Sequence, residues 1–251
     1  MRRSAFTIIE LIAAVSILAV LGIVGAGAAR EAYKASSLAV SASNIRQLAA
    51  GGVSYLAENN YTYWPYRQNN PANGVGVTWW FGFEPGASVT RPEGERSFDA
   101  TRGPLGEYVP KSMRPDPSFA IGARAFKPKY RNGYIGVGYN VLLGGGWGGA
   151  RSLLQNHWQL NSAKDTVVFF SSAQVNTFQS PASSSRPMLE EFYGIDERER
   201  TVHFRHRGSA MVSFADGNVG FLKLDPTLRD NRMPSANVGR FAPVGDTTHL
   251  R

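Results

Sequence analysis

Cysteine is absent from the 251 residues, which excludes disulfides and thiolate metal centres while leaving the compartment open. Charge is never concentrated. Lys and Arg outnumber Asp and Glu 27 to 19, for a net charge of +8, yet no block of five or more like charges occurs. The balance reads as a solvated basic surface, and nucleic acid is not an expected partner. Histidine is scarce: His157, His203, His206 and His249 are scattered, with no i, i+4 pair and no carboxylate cluster beside them. The glycine-rich run Gly144 to Gly149, with Trp147 inside it, lacks the Lys-Ser/Thr end of a phosphate loop and reads as a flexible loop. No nucleophile, base and orienting group stand at readable spacing, so the chain reads as a non-enzyme with no cofactor.

One long apolar run is present. Between Phe6 and Ala29 the only charged residue is Glu10. A helix of these 24 residues would be ~36 Å long, enough to cross a hydrocarbon layer of ~30 Å. Three readings compete. An ordinary secretory signal would use Leu11 to Val24 as its apolar core and Ala26-Gly27-Ala28 as its cleavage site. A plain membrane anchor would keep the run. A third reading makes residues 1–5 a short cytoplasmic leader cut before Phe6. In the last two, Arg2 and Arg3 hold the N-terminus in the cytoplasm.

Arg2, Arg3, Ser4 and Ala5, followed by Phe6-Thr7-Ile8-Ile9-Glu10-Leu11, resemble the start of the type IV pilin and type II secretion pseudopilin family. The resemblance implies cleavage between Ala5 and Phe6 by a membrane prepilin peptidase, then N-methylation of Phe6. Ala5 departs from the family's usual glycine before the cut and is still small. A carboxylate in an apolar layer is costly, and the cleavage scheme supplies a reason for one. When subunits stack, the new ammonium of Phe6 on one subunit and Glu10 of a neighbour can neutralise each other, while misaligned neighbours leave both unpaired. Glu10 is then a register key for assembly. The plainer alternatives are that it snorkels to the headgroups or pairs with its own ammonium one turn away.

Beyond Arg30, Leu38, Ala42, Ile45, Leu48 or Ala49, Val53 and Leu56 recur at steps of three and four, an amphipathic stripe. Arg30, Lys34, Ser41, Asn44, Gln47 and Glu58 lie mostly off it. Gly51-Gly52 weakens the helix by about 1 kcal/mol per glycine and permits a bend or a close contact. The helix is expected to continue to Asn59-Asn60. Residues 61–129 turn to glycine, proline and aromatics, where regular elements should be short. Trp64, Trp79 and Trp80 could stack on sugars; the preferred reading is that they cover the helix stripe. Strands are expected at Tyr134 to Val141, with Ile135, Val137, Tyr139 and Val141 on one face, and in the run Asp165 to Ser172. An antiparallel meander is expected over 201–224: Thr201–Arg205, Ala210–Phe214 and Val219–Leu224, with turns at Arg207-Gly208 and Asp216-Gly217. Residues 225–251 should wrap the surface or fray.

His206, nine residues and then Asp216-Gly217 resemble a prepilin-associated C-terminal motif of pilin-like proteins best known from planctomycete and verrucomicrobial bacteria. Six strand residues at ~3.3 Å each would hold His206 and Asp216 roughly 20 Å apart, so a structural role is expected for His206, Asp216 and Gly217. Some pseudopilins bind calcium through C-terminal loop carboxylates; Asp225, Asp230 and Asp246 are the candidates here, without EF-hand spacing.

The two resemblances together imply an α+β, pilin-like fold. Its parts are a leader (1–5), a transmembrane or filament-core helix (6–29), an amphipathic spine (30–60), an extracytoplasmic antiparallel β head (61–224) and a C-terminal surface tail (225–251). They imply a structural subunit of a type II secretion or type IV pilus-like assembly, single-pass in the inner membrane with its head outside. Its partners would be the prepilin peptidase, sibling pilins, and an inner-membrane platform protein with its assembly ATPase. The alternatives are a secreted, soluble, aromatic-rich binding protein cut after Ala28, or an extracytoplasmic hydrolase using His206.

Overall fold

The computed structural model describes residues 7–69, 75–110, 115–119, 125–131, 136–145 and 155–250. Ala5 and Phe6, the strand start at Tyr134 and Ile135, and Trp147 lie outside the described residues. The layout is α+β, and the chain separates into two compact units, Met1–Ala39 and Val40–Arg251.

Helix α1, Ile8–Glu58, runs through both units. In the first unit its side chains from Ile8 to Val24 are exposed. In the second unit it buries Ser41, Asn44, Ile45, Leu48, Ala49 and Leu56. The buried face is therefore rotated from the expected stripe at its start, since Leu38 and Val53 are exposed while two polar residues are covered. Gly51 and Gly52 serve close packing. A Cβ on Gly51 would stand 2.8 Å from Val109 Cγ2, and one on Gly52 3.0 Å from the Trp64 ring.

After α1 come β1 (Arg67–Asn69), β2 (Gly76–Trp79), β3 (Gly82–Pro85), the short α2 (Gly86–Val89), β4 (Phe126–Lys127), β5 (Val137–Asn140) and the short α3 (Val141–Gly144). Then follow β6 (Val167–Ser171), β7 (Gln174–Asn176), β8 (Met188–Glu190), β9 (Gly194–Ile195), β10 (Val202–His203), β11 (Ser209–Phe214), β12 (Val219–Lys223) and β13 (Val238–Gly239). The main sheet has the order β12-β11-β6-β5-β9; smaller sheets are β1-β2-β3, β4-β8-β7 and β10-β13. The head is not purely antiparallel as expected, because β5 pairs with β9 and β4 with β8 in parallel.

The main sheet is covered on both faces. One apolar cluster joins Ile45, Leu48 and Leu56 of α1 to Trp64, Trp80, Val137, Tyr139, Phe169 and Met211. The other holds Val167, Phe170, Ala210, Val212 and Leu250. Alternation along β11 sends Met211 to the helix side and Ala210 and Val212 to the other. Strand β6 breaks this rule through a bulge: Ser213 faces Phe169 but Phe214 faces Val167. The extra residue, Val168, lets Val168 and Phe169 both point to the helix side. Trp64 and Trp80 are buried in that cluster, Trp64 stacked on Tyr139 and Phe169.

Two expectations are corrected. The meander over 201–224 is a hairpin, β11-β12, while its expected first strand is only Val202–His203 and pairs with β13. Strand β11 instead takes β6 as its second neighbour, because the wholly buried Val167–Ser171 run needs a partner on each edge. The stretch 225–251 is likewise no loose surface tail. Val238 and Leu250 are core residues, Val167 N–H donates to His249 O, and Asn140 Nδ2 donates to Leu250 O.

Candidate assembly site and the buried polar anchors

Thr7 and Glu10 form a reciprocal cap at the start of α1. Thr7 N–H and Oγ1 donate to Glu10 Oε2 at 2.9 and 2.8 Å, and Glu10 N–H donates to Thr7 Oγ1 at 3.3 Å. This is a Thr-x-x-Glu capping box, which settles two donors that the first helical turn would leave orphaned. Sequence reasoning missed this cap, whose local signal is the Thr-x-x-Glu spacing of Thr7 and Glu10. Among the described residues the Glu10 side chain is hydrogen-bonded only through this cap, and its Oε1 accepts nothing.

The surrounding surface is almost purely apolar. Ile8, Ile9, Leu11, Ile12, Val15, Ile17, Leu18, Val20, Leu21, Ile23 and Val24 are all exposed. Ser16 turns its hydroxyl inward, donating to Ile12 O at 2.8 Å, so it offers no unsatisfied polar group. The helix is long and apolar enough to cross a membrane, which is compatible with a single-pass membrane protein; a signal sequence meets the same test. Further along, Glu31 and Lys34 form an exposed i, i+3 pair.

In the second unit, His206 and Asp216-Gly217 occupy the two turns flanking β11. His206 and Ser209 exchange backbone hydrogen bonds across Arg207-Gly208, whose φ angles are 54° and 79°. Positive φ at both central residues is the two-residue hairpin geometry matched to strand twist. The His206 ring lies edge-on to Phe221, and burial, then the Arg205 charge, push its pKa down to about 4. It is neutral at pH 7. Asp216 Oδ1 and Oδ2 accept from Asn218 N–H and Nδ2, and Gly217 has φ 87°. The two residues therefore share no site; each shapes its own turn.

The segments flanking β11 both approach α1, one through Asp116 and the other at Gly217. Next to His206, Arg205 reaches the buried Asp116, which also accepts from Ser41 Oγ of α1 at 2.6 Å and from Ser118 N–H at 2.9 Å. At the other end, a Cβ on Gly217 would touch Val53 of α1 at 3.7 Å. Ser41 to Val53 is twelve helical steps, ~18 Å, and the six residues of β11 span ~20 Å. The nine-residue spacing thus sizes a strand to a little over three turns of helix.

Asp116 is shifted by opposing causes: burial raises its pKa, but Arg205, Ser118 and Ser41 together hold it below the usual value. His203, beside Arg205, is driven well down by burial and that charge. Sequence reasoning missed Asp116 and Arg205, since nothing local links positions so far apart. Two more buried charge groups support the loops. Glu84 takes a bidentate pair from Arg96 and further bonds from Trp79 and Tyr130; these outweigh burial and lower its pKa. Lys127 pairs with Glu93 and Glu190, while burial raises the neighbouring Glu191 to about 7 despite backbone N–H bonds from Lys129 and Tyr130.

The calcium candidates are not gathered. Asp225 and Asp246 cap the turns at Thr227 and Thr248, and Asp230 is paired with Arg232. No group of three or more metal-ligating side chains occurs among the described residues. Comparison with family models, curated proteins and solved structures finds no match to this chain.

Proposed function

We propose that the chain is a structural, pilin-like subunit of a type II secretion or type IV pilus-like envelope assembly. A prepilin peptidase would cut between Ala5 and Phe6, and Phe6 would be N-methylated. The α1 residues up to Ala29 would first hold the protein in the inner membrane, N-terminus in the cytoplasm, and then pack against sibling subunits. The platform protein and its ATPase would drive that transfer. The observation that carries this reading is an apolar, exposed helix surface whose lone carboxylate uses Oε2 for capping, while Oε1 has no partner among the described residues. That second oxygen suits a cation from a neighbouring subunit, because accepting it need not break the Thr7 cap. Chemistry in this scheme belongs to the partners; the chain's contribution is mechanical.

The test is the mature N-terminus and the fate of Glu10→Ala. Mass spectrometry of the protein from its native membrane should find a first residue of methylated Phe6. A chain beginning at Ala29 would instead make it a secreted binding protein. Glu10→Ala should be processed and membrane-inserted like the parent, yet be absent from sheared filaments or cross-linked assemblies. Normal incorporation of that variant would remove the register role.

A further inference from the structure

The tryptophans first considered for sugar stacking are core or partly covered, but another aromatic pair is left bare. Trp158 is 70% exposed and Tyr61 41%, with ring centroids 4.8 Å apart and planes inclined at 49°. The pair sits where α1 ends. Asn60 and Tyr61 take φ of 52° and 55°, a left-handed conformation that is costly for a bulky residue such as Tyr61.

The mount beneath the rings is fully tied. His157 N–H donates to Tyr61 O at 2.7 Å and Asn156 Nδ2 to Asn60 O at 2.8 Å. Trp158 N–H donates to Asn156 Oδ1 at 3.0 Å, and Gln159 Oε1 closes the capping box by accepting from Asn156 N–H. A large ring is thus presented to solvent on a rigid support, so little ordering entropy is lost when a ligand covers it.

The chemistry around the rings narrows the ligand. Residues 59–63 and 155–163 contain no Lys, Arg, Asp or Glu, but they hold six side-chain amides, Asn59, Asn60, Gln155, Asn156, Gln159 and Asn161. The Nε2 of Gln159 and the side chains of Asn60 and Asn161 make no hydrogen bond among the described residues. Exposed aromatic faces on segments whose polar side chains are mostly neutral amides match a ligand with an apolar C–H face and a hydroxyl edge. Within these two segments a charged partner finds no complement, and a greasy peptide would leave the amides unpaired.

We propose that Trp158 and Tyr61 form a binding face for neutral glycans built of equatorially substituted, β-linked pyranoses. A sugar ring covers the exposed face of Trp158, and its hydroxyls bond the Gln159 and Asn60 amides. This does not rest on the assembly reading.

The test uses the full chain in a sugar-free zwitterionic detergent, titrated with cellohexaose and chitohexaose, with dextran as an α-linked control. At least one β-linked hexasaccharide should give saturable tryptophan quenching, and saturation-transfer NMR should place its C–H protons against an aromatic ring. Trp158→Ala should weaken binding at least tenfold. Trp158→Leu, which keeps apolar bulk without a flat ring, should do the same if the alanine variant fails to fold. No saturable response to either β-linked probe would overturn the proposal, and so would equal binding by the variants. Self-association lost in Trp158→Ala, without any glycan response, would make the face a protein contact and overturn it too.

Discussion

Residues 8–24 and residues 41–56 lie on one helix, yet composition alone would rank their burial the wrong way round. The first stretch is almost wholly apolar and exposed; the second carries Ser41, Asn44 and two glycines and is the one that is covered. The glycines sharpen the contrast. A Cβ at Gly22, Gly25 or Gly27 meets nothing within 4 Å, whereas one at Gly51 or Gly52 runs into Val109, the Tyr108 carbonyl or Trp64. Burial follows from what the rest of the chain brings to a face, not from how apolar that face is. A stretch that is apolar and uncovered is matched to a surrounding outside the chain.

The strongest way to break the covered half is to unpair its buried charge. Arg205→Met leaves Asp116 buried without its cation, and should cost about 3–5 kcal/mol of head stability, read by denaturant unfolding in micelles. Asp116→Asn combined with it should recover part of the loss. The same variants should leave the helicity of residues 8–34 unchanged by hydrogen exchange.

A second test uses pH. Folded Glu191 keeps its proton up to about 7, while the unfolded residue loses it near ~4.3. Between those values the folded state binds more protons, so this group's contribution is full below ~4.3 and falls as pH rises toward 7. The loss should reach about 4 kcal/mol, and Glu191→Gln should remove that slope from a stability-against-pH profile. A slope unchanged by the substitution would mean that Glu191 is not the group responsible.

The glycines give the smaller contrast. Gly51→Ala must displace Val109 or the Tyr108 backbone and should destabilise the head by about 1–3 kcal/mol. Gly25→Ala should leave head stability within about 0.5 kcal/mol, since no atom stands near the new methyl. Equal effects at the two positions, measured in the same unfolding assay, would erase the distinction between the halves.

Local chemistry was legible where it was self-contained. The continuity of α1, the turns at Arg207-Gly208 and Asp216-Gly217, and the pairing of Val137 with Tyr139 in one cluster follow from periodicity and from glycine's tolerance of positive φ, although the strand ends at Asn140 and Val141 opens α3. The cap formed by Thr7 and Glu10 rests on an equally local spacing of three residues. What could not be read was pairing at a distance. Val202–His203 joins Val238–Gly239 rather than the neighbouring hairpin, and residues 225–251 are drawn into the core by Val238 and Leu250.

The amino-acid order by itself determined one apolar helical run with a single carboxylate near its start, and a strand whose two flanking turns lie a fixed distance apart. Those properties depend on neighbours within a few residues, where backbone geometry dictates the outcome. Tertiary structure decided which polar residues of the helix are buried, because Ser41 is satisfied only when Asp116 and Arg205 arrive from distant segments. Among the described residues it also decided that Trp64 and Trp80 are core, enclosed by rings from other strands, while Trp158 is left largely exposed.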